Sequence, residues 1–158
     1  MKYRVAILLL LTLTAMPVMA DAAGPLEGAW KIAEYTTTGG NNAGTNSSPQ
    51  PGLYIFTGKH YSITAVRTEK PRPEYGDDST DAERLAAFGP FTSNAGSYEI
   101  KGSTLTTRPL VAKSPWVMSG RDFSSEYRLE GKTLWLTSKR TDDAGQEFEV
   151  RTKLTRVE

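Results

Sequence analysis

Ser125 to Arg156 reads SEYRLEGKTLWLTSKRTDDAGQEFEVRTKLTR. In Tyr127-Arg128-Leu129-Glu130, and again in Thr133-Leu134-Trp135-Leu136-Thr137, the residues alternate with the period of two that belongs to a β-strand with one face buried. Glu130-Gly131-Lys132 separates the two runs, and Asp142-Asp143-Ala144-Gly145 separates the second from Gln146 to Arg156. Glycine serves such turns because it reaches positive φ at little steric cost. Turns this short make neighbouring strands antiparallel, so this stretch predicts three strands in a meander.

Working outward, the same pattern recurs at Trp30 to Tyr35, Leu53 to Thr57, Tyr61 to Arg67, Gly96 to Lys101 and Thr104 to Pro109. With Ser125 to Glu130, Thr133 to Arg140 and Gln146 to Arg156 these make eight strands. Thr57-Gly58-Lys59 and Lys101-Gly102-Ser103 supply further tight turns. One segment has helical grammar instead: Thr80 and Glu83 form a capping box, Leu85 and Phe88 follow on one face, and Gly89-Pro90 is a stop. It predicts a helix over Asp81 to Phe88 that packs across the sheet or closes one end of it. A sheet of eight antiparallel strands must dispose of two edges, and closure removes both at once. The fold class expected is therefore all-β, a roughly eight-stranded antiparallel up-and-down barrel with one short inserted helix.

The chain has 158 residues, with 19 basic and 18 acidic side chains, one His and no Cys. Lys2 and Arg4 precede the apolar run Val5 to Leu13, and Val18-Met19-Ala20 follows. That is the order of a secretory signal peptide, and its apolar core is short of the ~20 residues that span a bilayer. Residues 1–20 are read as the signal peptide, cut after Ala20, and 21–158 as the barrel domain, periplasmic or secreted. Without Lys2 and Arg4 the remainder carries 17 basic against 18 acidic residues. A chain so balanced has little pull on nucleic acid, and no stable membrane anchor is expected. Lacking cysteine, the domain relies on its packed core rather than on disulfides.

The first strand opens Leu26-Glu27-Gly28-Ala29-Trp30-Lys31-Ile32, and the last ends Lys153-Leu154-Thr155-Arg156. A Gly-x-Trp at the start of an eight-strand meander, with an Arg near its end, resembles the lipocalin superfamily. The ordered set Gly52-Leu53-Tyr54-Ile55-Phe56-Thr57, Tyr61-Ser62-Ile63, Arg72-Pro73, Phe88, Gly96-Ser97-Tyr98-Glu99-Ile100, Pro115-Trp116 and Tyr127-Arg128-Leu129 looks more specifically like the bacterial lipocalin-like domain family. The resemblance implies a barrel with a cup and a closed end plugged by Gly28 and Trp30, with Arg156 over the indole. Arg156 shares parity with the apolar Phe148, Val150 and Leu154, whereas Arg151 does not. Such a cation–π contact contributes roughly 0.5–2 kcal/mol.

With Trp30 and Leu154 taken as inward, parity places Ile32 and Glu34 on the inner face of the first strand. Tyr61, Ile63, Ala65 and Arg67 share a face of the third, and Tyr127 and Leu129 follow. An aromatic and aliphatic lining with a few polar groups suits a small-molecule site; the alternative is that these side chains fill the barrel. Glu34 and Arg67 are expected near the open mouth as an orienting or acid–base pair, with Arg108 a second partner if its strand faces it inward. Trp116 stands in an apolar loop, a ligand contact if exposed and core if buried. The polar stretch Gly39 to Pro51 is either a lid over the mouth or disordered.

No Cys, no His pair and no H-E-x-x-H is present, and His60 stands alone beside a turn, so no metal site, cofactor or catalytic residue is expected. The function expected is binding of a small hydrophobic or amphipathic molecule in the barrel cup, through Glu34, Tyr61, Ile63, Arg67, Arg108, Trp116 and Tyr127. Two alternatives stay open: an isomerase or cyclase acting on a hydrophobic substrate, or a filled barrel that serves as a protein-interaction module.

Overall fold

A computed structural model describes residues 24–157; the signal-peptide reading of residues 1–20 lies outside them. The elements are β1 (Gly28–Thr38), β2 (Gly44–Asn46), β3 (Gly52–Phe56), β4 (His60–Val66), α1 (Asp81–Phe88), β5 (Phe91–Lys101), β6 (Thr104–Ala112), a 3-10 turn (Pro115–Met118), β7 (Phe123–Glu130), β8 (Thr133–Thr141) and β9 (Glu147–Arg156). From β3 to β9 each strand pairs antiparallel with the next, and β1 pairs with both β3 and β9. The sheet is thereby closed: β1 and β3 to β9 form an eight-stranded antiparallel barrel with one short helix. β2 stands outside this ring and pairs only with β1, through Tyr35↔Asn46, Thr36↔Thr45 and Thr37↔Gly44. The stretch between the first two barrel strands, expected to be a lid or disordered, thus carries a short strand folded back on β1.

The two ends of the barrel differ. At one end the connections are the tight turns expected from sequence, with Gly102 and Gly131 at φ 58° and 56°. There Trp30, Leu26, Leu134 and Leu154 are fully buried. The indole Nε1–H of Trp30 donates to the Leu26 carbonyl at 2.8 Å. The Arg156 guanidinium lies 4.1 Å from the Trp30 ring centroid and donates to the Glu27 carbonyl and, at 3.4 Å, to that of Pro25. Tyr98 packs edge-on against Phe56 and donates to the Thr57 carbonyl, fastening the adjacent turn. Burying side chains of this size is the dominant favourable term, about 25 cal/mol per Å² of apolar surface.

Every longer connection lies at the opposite end, the mouth: the β2 loop, the segment carrying α1, the 3-10 turn and the Asp142 turn. β5 and β6 reach further toward it than expected, starting at Phe91 and ending at Ala112. Alternation fades there because Thr92, Ser93 and Asn94 are all small and polar, and the register shifts between Ala95 and Gly96. A Cβ on Gly96 would stand 2.0 Å from the Arg108 carbonyl oxygen, so only glycine admits this close backbone approach.

α1 has the expected bounds and its capping box: the Glu83 backbone N–H donates to Thr80 Oγ1, and the Thr80 backbone N–H to the Glu83 carboxylate. Its packing differs from expectation. Leu85 and Phe88 are exposed, and Ala87 is the buried residue. The helix C-terminus is held by polar contacts: Lys113, beyond the end of β6, donates through Nζ to the carbonyls of Phe88, Gly89 and Phe91. Gly89 has right-handed helical geometry, so this ammonium replaces a left-handed glycine cap and also meets the negative end of the helix dipole.

Candidate functional site

A cavity lies at the mouth of the barrel. Below it, Ile32, Tyr54, Tyr61, Ala65, Leu136 and Thr152 are buried and occupy the interior. Above them Tyr35, Thr37, Asn46, Val66, Arg67, Thr68, Glu69, Arg140 and Val150 line a cavity of ≈ 270 Å³. A neighbouring recess of ≈ 280 Å³ lies between the first loop and the Asp142 turn, and Thr37 borders both. Strand pairing explains which side chains meet. Tyr35 is opposite Thr152, Thr37 opposite Val150, and Ser138 opposite Val150 on the next pair, so β1, β9 and β8 all aim the same parity inward. On β8 that parity runs Leu134, Leu136, Ser138 and Arg140, which carries Arg140 to the mouth.

Arg67 sits immediately beyond β4 with its guanidinium 5.0 Å from the Tyr35 ring centroid, and its Nη2 donates to the Tyr54 hydroxyl at 3.2 Å. The Tyr35 hydroxyl is buried with the Tyr54 phenol as its neighbour, too poorly placed for a well-formed hydrogen bond. Burial, reinforced by the neighbouring Tyr54 phenol and opposed by Arg67, pushes the Tyr35 pKa well above its ordinary value. Tyr35 is therefore a neutral donor at physiological pH. Among the described residues neither Arg67 nor Arg140 forms an ion pair with a carboxylate, although Glu69 borders the same cavity.

The expected Glu34–Arg67 pair is corrected by a β-bulge. Register shifts between Ile32 and Glu34, so the parity of β1 reverses: Trp30 and Ile32 point in, then Tyr35 and Thr37. Glu34 shares the other face with Thr36, whose hydroxyl donates to it at 3.4 Å. Arg108 is also corrected. Leu105 and Thr107 take the inner positions of β6, and Arg108 projects outward to ion pairs with Glu99 at 3.2 Å and Asp122 at 3.1 Å. Trp116 is 62% exposed on the rim, edge-on to Phe123, and does not border the mouth cavity.

Tyr61, Ile63 and Tyr127 do face inward, but as packing. Tyr61 is buried, and burial raises its pKa against the opposing effect of the neighbouring Thr107 hydroxyl. Ile63 and Tyr127 lie against the same core. Two residues of the mouth, Tyr35 and Arg140, were not singled out in sequence, nor was Tyr54 beneath them, which accepts from Arg67. The signal for Arg140 was present, since it continues the inward parity of Leu134 and Leu136; a charged residue at a strand end simply reads as solvated. Among the described residues no cluster of three or more His, Cys, Asp or Glu side chains is placed to hold a metal ion, and no helix is long and apolar enough to cross a membrane.

Fold and site together define a closed antiparallel barrel, plugged at one end, with a polar, arginine-bearing cavity at the other. No protein-family model matches the chain, and no curated protein matches it either.

Proposed function

We propose that this protein is an exported, lipocalin-like carrier that holds a small amphipathic molecule at its barrel mouth and performs no chemistry on it. The observation that carries the reading is the asymmetry of the interior. One end is sealed by Trp30, Leu26 and Arg156, while the other keeps ≈ 270 Å³ of space bordered by Tyr35, Thr37, Val66, Arg67, Arg140 and Val150. A concave site with mixed apolar walls and a few fixed polar groups is the usual form of a small-molecule site. The signal-like order of residues 1–20 and the Gly28–Trp30 opening support export and the lipocalin-like reading.

The cup of this carrier is shallow, because tyrosines and aliphatic side chains fill the lower barrel. The ligand is held high, under the β2 segment, with apolar contact from Val66 and Val150. The test is titration of the folded barrel domain with an environment-sensitive amphiphilic fluorophore. Saturable one-to-one binding, competed by extracted amphiphiles and weakened by Val150→Asp, is expected. A folded protein that binds nothing would move attention to the outer rim, where Leu110, Val111 and Trp116 stand exposed. Fractionation of cells expressing the full chain, with N-terminal sequencing of the product, tests export and the cut after Ala20.

A further inference from the structure

We infer that the mouth cavity is an oxyanion subsite in which Arg67, Arg140 and the Tyr35 hydroxyl together take the acidic headgroup of an amphiphile. This rests on the carrier reading and names the chemistry of its ligand.

The mouth carries more hydrogen-bond donors than the protein's own acceptors there engage. Arg67 spends one N–H on Tyr54 and stacks on Tyr35, which leaves most of its five donors unused. Arg140 reaches the same cavity without an ion pair to any described carboxylate and without a side-chain hydrogen bond to the described residues. The Tyr35 hydroxyl is buried, and its one polar neighbour, the Tyr54 hydroxyl, is not placed for a well-formed hydrogen bond. A buried donor without a well-formed hydrogen bond is costly, and the two guanidinium groups bordering this cavity have no carboxylate ion-pair partner among the described residues. A group bearing negative charge and several acceptor oxygens meets both conditions at once.

Other ligand classes fit less well. A neutral alcohol brings one oxygen and no charge, and a cationic headgroup would add a third positive charge against the single carboxylate of Glu69. Guanidinium is suited to carboxylate and phosphate because its planar N–H groups match two oxygens at once. Carboxylate and phosphate share this chemistry. Ser138, one inward step below Arg140, and the filled layer of Tyr61 and Leu136 beneath it limit how deep the apolar tail can run.

The test uses short amphiphiles that share one tail: octanoate, octyl phosphate, octanol and octyltrimethylammonium, titrated calorimetrically into the folded barrel domain. Saturable binding of the two anions is expected, with octanol weaker by about tenfold or more and the cation weaker still. Arg140→Gln, a change at an exposed residue, is expected to weaken both anions about tenfold and leave octanol unchanged. Whichever anion binds tighter names the headgroup. Equal binding of octanol and octanoate, or an Arg140→Gln variant with unaltered anion affinity, would overturn the subsite while leaving the carrier reading intact. If none of the four binds, the carrier reading falls and the subsite falls with it. Arg67→Gln also breaks the Tyr54 bond, so it is read only beside a thermal melt.

Discussion

The Arg67 guanidinium lies over the face of Tyr35, 5.0 Å from its centroid, where a regular β1 would have presented Glu34. The bulge between Ile32 and Glu34 makes that exchange. It removes a carboxylate from the mouth and supplies a phenol, so that Glu69 alone among the lining residues sets a carboxylate against Arg67 and Arg140.

Tyr35→Phe separates stability from binding. The buried hydroxyl makes no well-formed hydrogen bond to its Tyr54 neighbour, so deleting it removes a desolvated polar group and leaves the ring to stack on Arg67. Urea unfolding is expected to show no loss, or a gain within about 1 kcal/mol. Affinity for an anionic amphiphile is expected to fall severalfold in the same variant. A loss of stability above that size would show that the hydroxyl has a structural partner.

At the closed end the opposite pattern is expected. Trp30→Ala removes a fully buried side chain at the centre of the plug and is expected to cost about 3–5 kcal/mol. Arg156→Ala leaves the indole in place but removes its cation and the donors to the Glu27 and Pro25 carbonyls. A cost of about 1–3 kcal/mol is expected from the lost charge-assisted bonds and ring contact. Equilibrium denaturation checks both, and near-neutral results would mean that the plug does not hold the barrel.

Glu99 gives a pH signature on the outer face. The Lys101 ammonium at 2.7 Å, and then the Arg108 guanidinium at 3.2 Å, hold its carboxyl down to about 2 against an ordinary 4.5. In the unfolded chain Glu99 takes its proton near 4.5, whereas the folded chain keeps the charge until about 2. Its contribution to stability is therefore complete above 4.5 and fades as the pH falls through that interval. An NMR titration of the side-chain carboxyl carbon should show the depressed midpoint. Arg108→Gln should raise it, and added salt should narrow the difference, because the pair is exposed.

Lys113→Met tests what fastens α1. Without the ammonium the carbonyls of Phe88, Gly89 and Phe91 lose their donor. Faster amide exchange is expected at Leu85 to Gly89, including the Gly89 N–H that bonds to the Leu85 carbonyl at 2.7 Å. Exchange in β8 and β9 should be unchanged, since α1 lies outside the barrel ladder. Unaltered exchange in the helix would assign its hold to Ala87 instead.

Sequence revealed the barrel wherever alternation and turn chemistry agreed, as in Tyr127 to Glu130 followed by Gly131, or in the Thr80–Glu83 box before α1. It failed where one residue broke the count. Nothing in Ile32-Ala33-Glu34 announces a bulge, because the extra residue needs no glycine and no special φ; yet every inward assignment beyond it reverses. The short β2 escaped notice because Gly44-Thr45-Asn46 offers no apolar residue to alternate. The mouth was legible only in part, through Arg67, because its other members depend on that reversed parity and on a charged strand end. Arg108 fails for a related reason: its facing depends on which residues of β6 lie opposite Tyr98 and Ile100.

The seam between β1 and β9 also bears on the order of events during folding. It joins the first strand of the barrel to the last, and the Arg156–Glu27 contact within it spans 129 residues. Contacts of such separation form slowly, because the entropy of closing the loop must be met before they contribute. Until β9 arrives, β1 and β8 each present an unpaired edge able to recruit a strand from another chain. The interval between synthesis of Tyr35 and docking of Arg156 is thus the period of greatest exposure to aggregation, and shortening β9 would prolong it indefinitely.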